Sequence, residues 1–243
     1  DGAAARSVLP QQLTPFIGRD EELAQLYARL TDPSYRLLTI VGPGGAGKSR
    51  LAQRAAEQHV AMFRDGVYFV PLAQVHSVES IPAVIAETLG ASLESGSASP
   101  VEQLVALIGA GSLLLILDNF EHLMGGVDVL LTLLKRAPNV VLLVTSRERL
   151  NLQAEDLFEL NGLPTPASAA DPGASQFAAI RLFVDRAHRA SKDFKLTAGQ
   201  LVDIVRICQL VEGFPLAIEL AANWIGDLTC SEIAAELSSG LDL

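Results

Sequence analysis

Apolar positions change their spacing along this chain in a way that divides it in two. Leu23, Leu26, Tyr27 and Leu30 recur at helical intervals, the pattern of one face of an amphipathic helix. Residues 36–41 then run almost unbroken in apolar side chains, which reads as a strand buried on both faces. A glycine-rich turn and a helix over 49–62 follow. The alternation continues with strand 67–70, helix 81–89, a Ser/Gly-rich loop over 91–100 and helix 101–108. It closes with strand 113–117, helix 127–135, strand 140–145 and a short strand at 157–160. Strands alternating with helices predict a parallel sheet covered on both faces.

Over 161–176 the chain becomes rich in Pro, Ala, Ser and Gly and loses any period, which marks a boundary. Beyond it every segment reads as helix. Residues 178–191 carry Ile180, Phe183, Val184 and Ala187 on one face, and 197–211 follow with Thr197 as N-cap. Helices over 214–225 and 231–237 complete the set. Residues 1–13 show little periodicity and read as a linker or arm. The expected organisation is therefore an arm (1–13), an α/β domain (14–160), a linker (161–176) and a small all-helical domain (177–243).

Composition narrows the function classes. Of 243 residues, 49% are hydrophobic and 19% charged, which is apolar enough for a sizeable core and excludes a disordered chain. Lys plus Arg number 18 against 28 Asp plus Glu, a net charge of −10. That leaves no cationic excess for direct nucleic-acid binding by this piece. Cys208 and Cys230 are the two cysteines, too few for a disulfide framework or a four-cysteine zinc site, and read as buried thiols in a reducing compartment. The longest apolar stretch, 104–117, is interrupted by Gly109, Gly111 and Ser112 and is too short to span a bilayer. The chain starts without Met or an apolar leader and reads as part of a longer cytoplasmic protein. His59, His76, His122 and His188 lack metal-ligand spacing.

The chemistry concentrates between the first and fifth of these strands. Gly42-Pro43-Gly44-Gly45-Ala46-Gly47-Lys48-Ser49 meets the G-x-x-x-x-G-K-[ST] pattern at every fixed position. Glycines let the backbone aim N–H groups at phosphate oxygens, and the loop opens into a helix N-terminus that favours anions. Lys48 is placed for the β- and γ-phosphates, and the Ser49 hydroxyl for Mg²⁺. Strand 113–117 presents Asp118 at its carboxyl end, either as a Mg²⁺ carboxylate or as a helix-capping residue. Asn119 follows, and its amide cannot act as a base. Glu121 is the nearest carboxylate, either polarising a water or serving as a first-turn charge. Arg147 ends the next strand, at the edge where ligands of open α/β sheets bind, either to sense a γ-phosphate or as a solvated surface charge.

Taken in order, these motifs resemble the STAND class of P-loop NTPases, specifically the NB-ARC-like ATPase module of bacterial regulators. Phe16-Ile17-Gly18-Arg19-Asp20-Glu21 is similar to the opening motif of that family. The box Asp118-Asn119-Phe120-Glu121-His122-Leu123, the triplet Thr145-Ser146-Arg147 and Gly213-Phe214-Pro215-Leu216-Ala217 match its later ones. The resemblance implies that Ile17 and Arg19 border adenine and ribose. It also implies that Gly42, Gly44, Gly45, Ala46, Gly47, Lys48, Ser49 and Arg50 hold the phosphates, that Ser49 and Asp118 hold Mg²⁺, and that Pro215 packs on adenine from an ARC1-like helical domain. ADP or ATP in the cleft between the domains would then operate a switch with slow hydrolysis at most. The implied partners are DNA-binding or cyclase domains and a tetratricopeptide-type sensor of the same regulator, with homo-oligomer formation on activation. An AAA+-like motor and a small-molecule kinase are the rival readings.

Overall fold

A computed structural model describes residues 7–94, 96 and 98–241. The chain divides into two compact units. Unit 1 gathers the N-terminal stretch through Thr14 with Asp20–Gly42 and Lys48–Leu160; unit 2 gathers Pro15–Arg19, Pro43–Gly47 and the chain from Asn161 on. The periodicity places residues 15–19 and 43–47 with the α/β part, whereas the structure counts both with the helices. Their hydrogen bonds, described below, explain why.

Unit 1 is an α/β layer structure. In chain order it runs β1 (Ser7–Val8), α1 (Asp20–Thr31), β2 (Leu37–Val41), α2 (Lys48–Glu57), β3 (Gly66–Pro71), α3 (Ile81–Thr88) and α4 (Pro100–Ile108). It continues with β4 (Leu113–Asp118), α5 (Val127–Arg136), β5 (Val140–Ser146) and β6 (Asp156–Glu159). The six strands pair only in parallel, in the order β1-β3-β4-β5-β2-β6. Continuous apolar runs form the central strands because both faces are covered. Leu115, Leu117, Leu142 and Val144 point into a core with Ile85, Leu104, Phe120, Leu130 and Leu133. Residues of the other parity, Leu38, Ile40, Leu114, Ile116 and Leu143, are equally buried, and α2 lies against β2, β4 and β5.

Two details depart from the sequence pattern. Residues 7 and 8 of the expected arm form β1, with Ser7 beside Val67 and Val8 beside Tyr68; the open edge of β3 offers unpaired backbone groups that two residues suffice to engage. Residues 1–6 of that arm, and 95 and 97 of the Ser/Gly-rich loop, lie outside the described residues. Helix α2 ends at Glu57, short of 62, and gives way to a 3₁₀ turn, Val60–Met62. The buried His59 ring engages the Ala55 carbonyl that would have taken the next helical N–H, and His59 N–H bonds Ala56 instead at 3.0 Å. The chain therefore tightens to i→i+3 bonding.

Unit 2 packs α6 (Ala178–Ala190), α7 (Ala198–Leu210), α8 (Pro215–Asn223) and α9 (Cys230–Leu241) around Phe183, Ile204, Ile218 and Ile233. Thr197 caps α7 in a reciprocal box with Gln200, as its position predicts. Arg186, 6% exposed, joins α6 to α8 through Glu219 Oε1 at 2.8 Å. Leu163 N–H bonds the Gly213 carbonyl at 2.7 Å, so the chain entering this unit is tied to the turn that opens α8. Cys208 and Cys230 are buried here as free thiols, and burial pushes them up to about 12 and about 11.

Candidate functional site

The carboxyl ends of β2, β4 and β5 finish level. Register sets Val41 beside Ser146 and Leu117 beside Val144, and Gly42 N–H reaches Ser146 O at 3.4 Å. In open parallel sheets this edge is where ligands bind. Helix α2 starts at Lys48, so the loop between β2 and α2 is short and its end coincides with a helix N-terminus. Gly45 (φ +80°) and Gly47 (φ +92°) hold backbone angles that a side chain would strain. Lys48 folds back, its Nζ donating to the Gly42 carbonyl at 2.7 Å. Burial pushes its amine below the ordinary lysine value; Glu121 and Asp118 pull it back up, and Arg147 opposes them. Lys48, Asp118, Glu121 and Arg147 thus share one electrostatic neighbourhood in unit 1. Ser49 is half-buried in the first turn of α2.

Asp118 ends β4, and its Oδ1 accepts from Thr145 Oγ1 at 2.6 Å. Asn119 adopts left-handed backbone (φ +64°), a conformation asparagine tolerates better than most residues. That turn leads into a 3₁₀ stretch, Phe120–Gly126, anchored by fully buried Phe120. It carries Glu121, whose Oε1 pairs with Arg147 Nε at 3.1 Å. The second oxygen, Oε2, is buried with no hydrogen-bond partner among the described residues. Arg50 points elsewhere, donating to the Thr14 carbonyl at 2.9 Å.

Unit 2 holds the middle of the loop. Leu216 N–H donates to the Gly45 carbonyl at 3.2 Å, and a Cβ placed on Gly47 would meet Cγ of Pro215, the first residue of α8, at 3.7 Å. Arg19, also left-handed (φ +70°) and 8% exposed, sends its guanidinium to the carbonyls of Ala46, Asn161 and Gly162. Ile17 packs against the helical core. Gly44 is exposed and Ala46 buried. Sequence reasoning overlooked Leu216, whose amide bond follows from α8 starting one residue earlier, and the Thr145–Asp118 bond. A hydroxyl closing an apolar strand beside a carboxylate-ended one is the only linear signal of that bond.

Residues 32–152 match the AAA domain family. A Pyrococcus horikoshii Signal Transduction ATPase with Numerous Domains (STAND) protein with a tetratricopeptide repeat sensor superposes over 96% of this chain and 33% of its own, at 17% identity and a TM-score of 0.56. The Aeropyrum pernix ORC2 protein, solved as ADPNP and ADP complexes, covers 90% of this chain and 66% of its own at 16% identity and TM-score 0.55. The fold is that of a P-loop NTPase. Among curated proteins, an uncharacterized Mycobacterium tuberculosis protein is 36% identical over 94% of this chain. Another from that organism, provisionally named an HTH-type transcriptional regulator, is 34% identical over 85%. The chain spans about half of the first relative (55%) and 22% of the second. Among the described residues no helix is long and apolar enough to cross a membrane.

Proposed function

We propose that this chain is the adenine-nucleotide switch module of a larger transcriptional or signalling regulator, of the STAND, NB-ARC-like kind. One observation carries the reading: the middle of the phosphate loop belongs to the helical unit, where Leu216 N–H holds the Gly45 carbonyl, while Lys48 and Ser49 belong to the sheet unit. A ligand shifts a conformational equilibrium only through contacts that differ between the states, and the γ-phosphate is the group by which ATP and ADP differ. The named regulator among the relatives supports a DNA-binding domain elsewhere in the full protein, and the STAND neighbour supports a tetratricopeptide sensor.

The loop amides and Lys48 bind ADP or ATP phosphates, and Arg147 is the group placed to distinguish a γ-phosphate. Mg²⁺ fits the donor set. A serine hydroxyl and a single carboxylate supply hard oxygen donors, and Mg²⁺ takes few protein oxygens and completes its shell with phosphate and water. Ser49 and Asp118 would hold it, and it would neutralise phosphate charge. With Asn119 after Asp118, Glu121 is the candidate base, and its ion pair with Arg147 restrains it; hydrolysis is slow.

An oligomeric AAA+-like motor is the second reading, favoured by the family match over 32–152. Turnover separates the two. Protein purified without added nucleotide should carry ADP and complete few ATP cycles per minute. Rapid steady turnover, accelerated by concentration-dependent assembly, would instead establish the motor.

A further inference from the structure

Thr145 lies on β5, fully buried, and its hydroxyl is used twice. It donates to Asp118 Oδ1 at 2.6 Å and accepts from the Asn119 N–H at 3.0 Å. Both partners sit at the end of β4, on consecutive residues, and the second begins the left-handed turn that leads to Glu121. Packing does not call for a hydroxyl here. The preceding residues of β5, Leu142, Leu143 and Val144, are apolar and equally buried, and a valine would occupy the same volume as Thr145. Its two bonds spare this buried hydroxyl the free-energy cost of an unpaired one.

Resting on the reading of this edge as a Mg²⁺–nucleotide site, we infer that Thr145 is the positioning residue for Asp118. Its hydroxyl fixes the carboxylate rotamer, engages one oxygen and leaves the other for a cation. By accepting the Asn119 N–H it also locks the turn that places Glu121 against Arg147. Thr145 touches neither phosphate nor metal in this role. It works through Asp118, as partners behind metal-binding carboxylates do. The hydroxyl is thereby committed to the protein, and recognition of a γ-phosphate falls to Arg147 alone among the Thr145-Ser146-Arg147 triplet.

The test compares wild type, Thr145→Ser and Thr145→Val by titrating Mg²⁺ into protein with saturating ATP and reading bound nucleotide. ATP affinity in EDTA and thermal unfolding of the free proteins are measured alongside. T145V should need about 10–100-fold more Mg²⁺, the usual loss when such a supporting hydrogen bond is removed, with ATP affinity in EDTA unchanged. T145S keeps the hydroxyl and should titrate close to wild type. The proposal is overturned if T145V has the wild-type Mg²⁺ requirement, if T145S loses as much as T145V, or if the loss in EDTA is as large as with Mg²⁺. Should T145V melt far below wild type, Thr145→Ala is read against T145S in its place. A wild type that binds no ATP under either condition defeats the nucleotide reading itself. That outcome is distinct from a wild type that binds ATP while T145V behaves identically.

Discussion

Arg19 and Arg147 both lie within candidate nucleotide-binding motifs, and the fold uses them in opposite ways. Arg19 is 8% exposed, and its guanidinium donates to three backbone carbonyls of unit 2, one of them in the phosphate loop. The Arg147 side chain is 65% exposed and pairs with one carboxylate at the end of unit 1's sheet. Moving Arg19 would strand three backbone acceptors, the carbonyl of buried Ala46 among them, whereas an exposed ion pair is worth about 0–1 kcal/mol. The cost of moving Arg147 falls mostly on Glu121, whose other oxygen already lacks a hydrogen bond among the described residues. We therefore read Arg19 as the clamp that shapes the loop and Arg147 as the group free to answer a ligand. The resemblance alone gives Arg19 a place beside adenine and ribose; its geometry here adds a structural duty.

The largest effect should come from Arg19→Ala. Losing several charge-assisted bonds and leaving their acceptors unpaired should cost about 2–4 kcal/mol, read by denaturant unfolding. Arg19→Lys should not restore it, because an ammonium cannot reproduce the fork. Wild-type stability in R19A would erase the contrast with Arg147.

Lys48→Ala should separate binding from stability. Nucleotide affinity should fall by about 10–100-fold, the equivalent of roughly 1.5–3 kcal/mol for a charged phosphate contact. The free protein should lose no stability near neutral pH. The sign follows from the depressed amine: the fold disfavours the charged form, so the folded chain carries a penalty below its own titration point, and the penalty fades as pH rises toward the unfolded value. K48A removes that penalty. Calorimetric titration of nucleotide and thermal melts across pH 7–10 check both halves.

Arg147→Ala should have the smallest effect on the fold, within about 1 kcal/mol, while abolishing any preference for ATP over ADP. Equal ATP-to-ADP affinity ratios in R147A and wild type would assign Arg147 to the surface and nothing more.

Much of unit 1 could be read directly from spacing. Continuous apolar runs such as Leu113–Leu117 announce strands buried on both faces, and the glycine and lysine positions of Gly42–Ser49 announce the loop. What escaped depends on contacts between distant segments. β1 is two residues long and exists because β3 has an open edge. Thr145 meets Asp118 because β4 and β5 pair with Leu117 beside Val144, a register that no single segment encodes. The division of the loop between units follows from Leu216 reaching Gly45 and Arg19 reaching Ala46, bonds across long sequence separations. Asn119 has a plain linear reading, a missing base, but its left-handed backbone gives a second reason for asparagine there.

The central claim is that phosphates bound at the loop act on the helical unit through the Gly45–Leu216 bond. Hydrogen–deuterium exchange with and without saturating Mg²⁺–ADP tests it most directly, because the Leu216 amide is itself the reporter. ADP should slow exchange at Leu216 and through the first turn of α8 together with the loop amides of 42–49. Protection confined to 42–49, with α8 exchanging as in the free protein, would contradict the account.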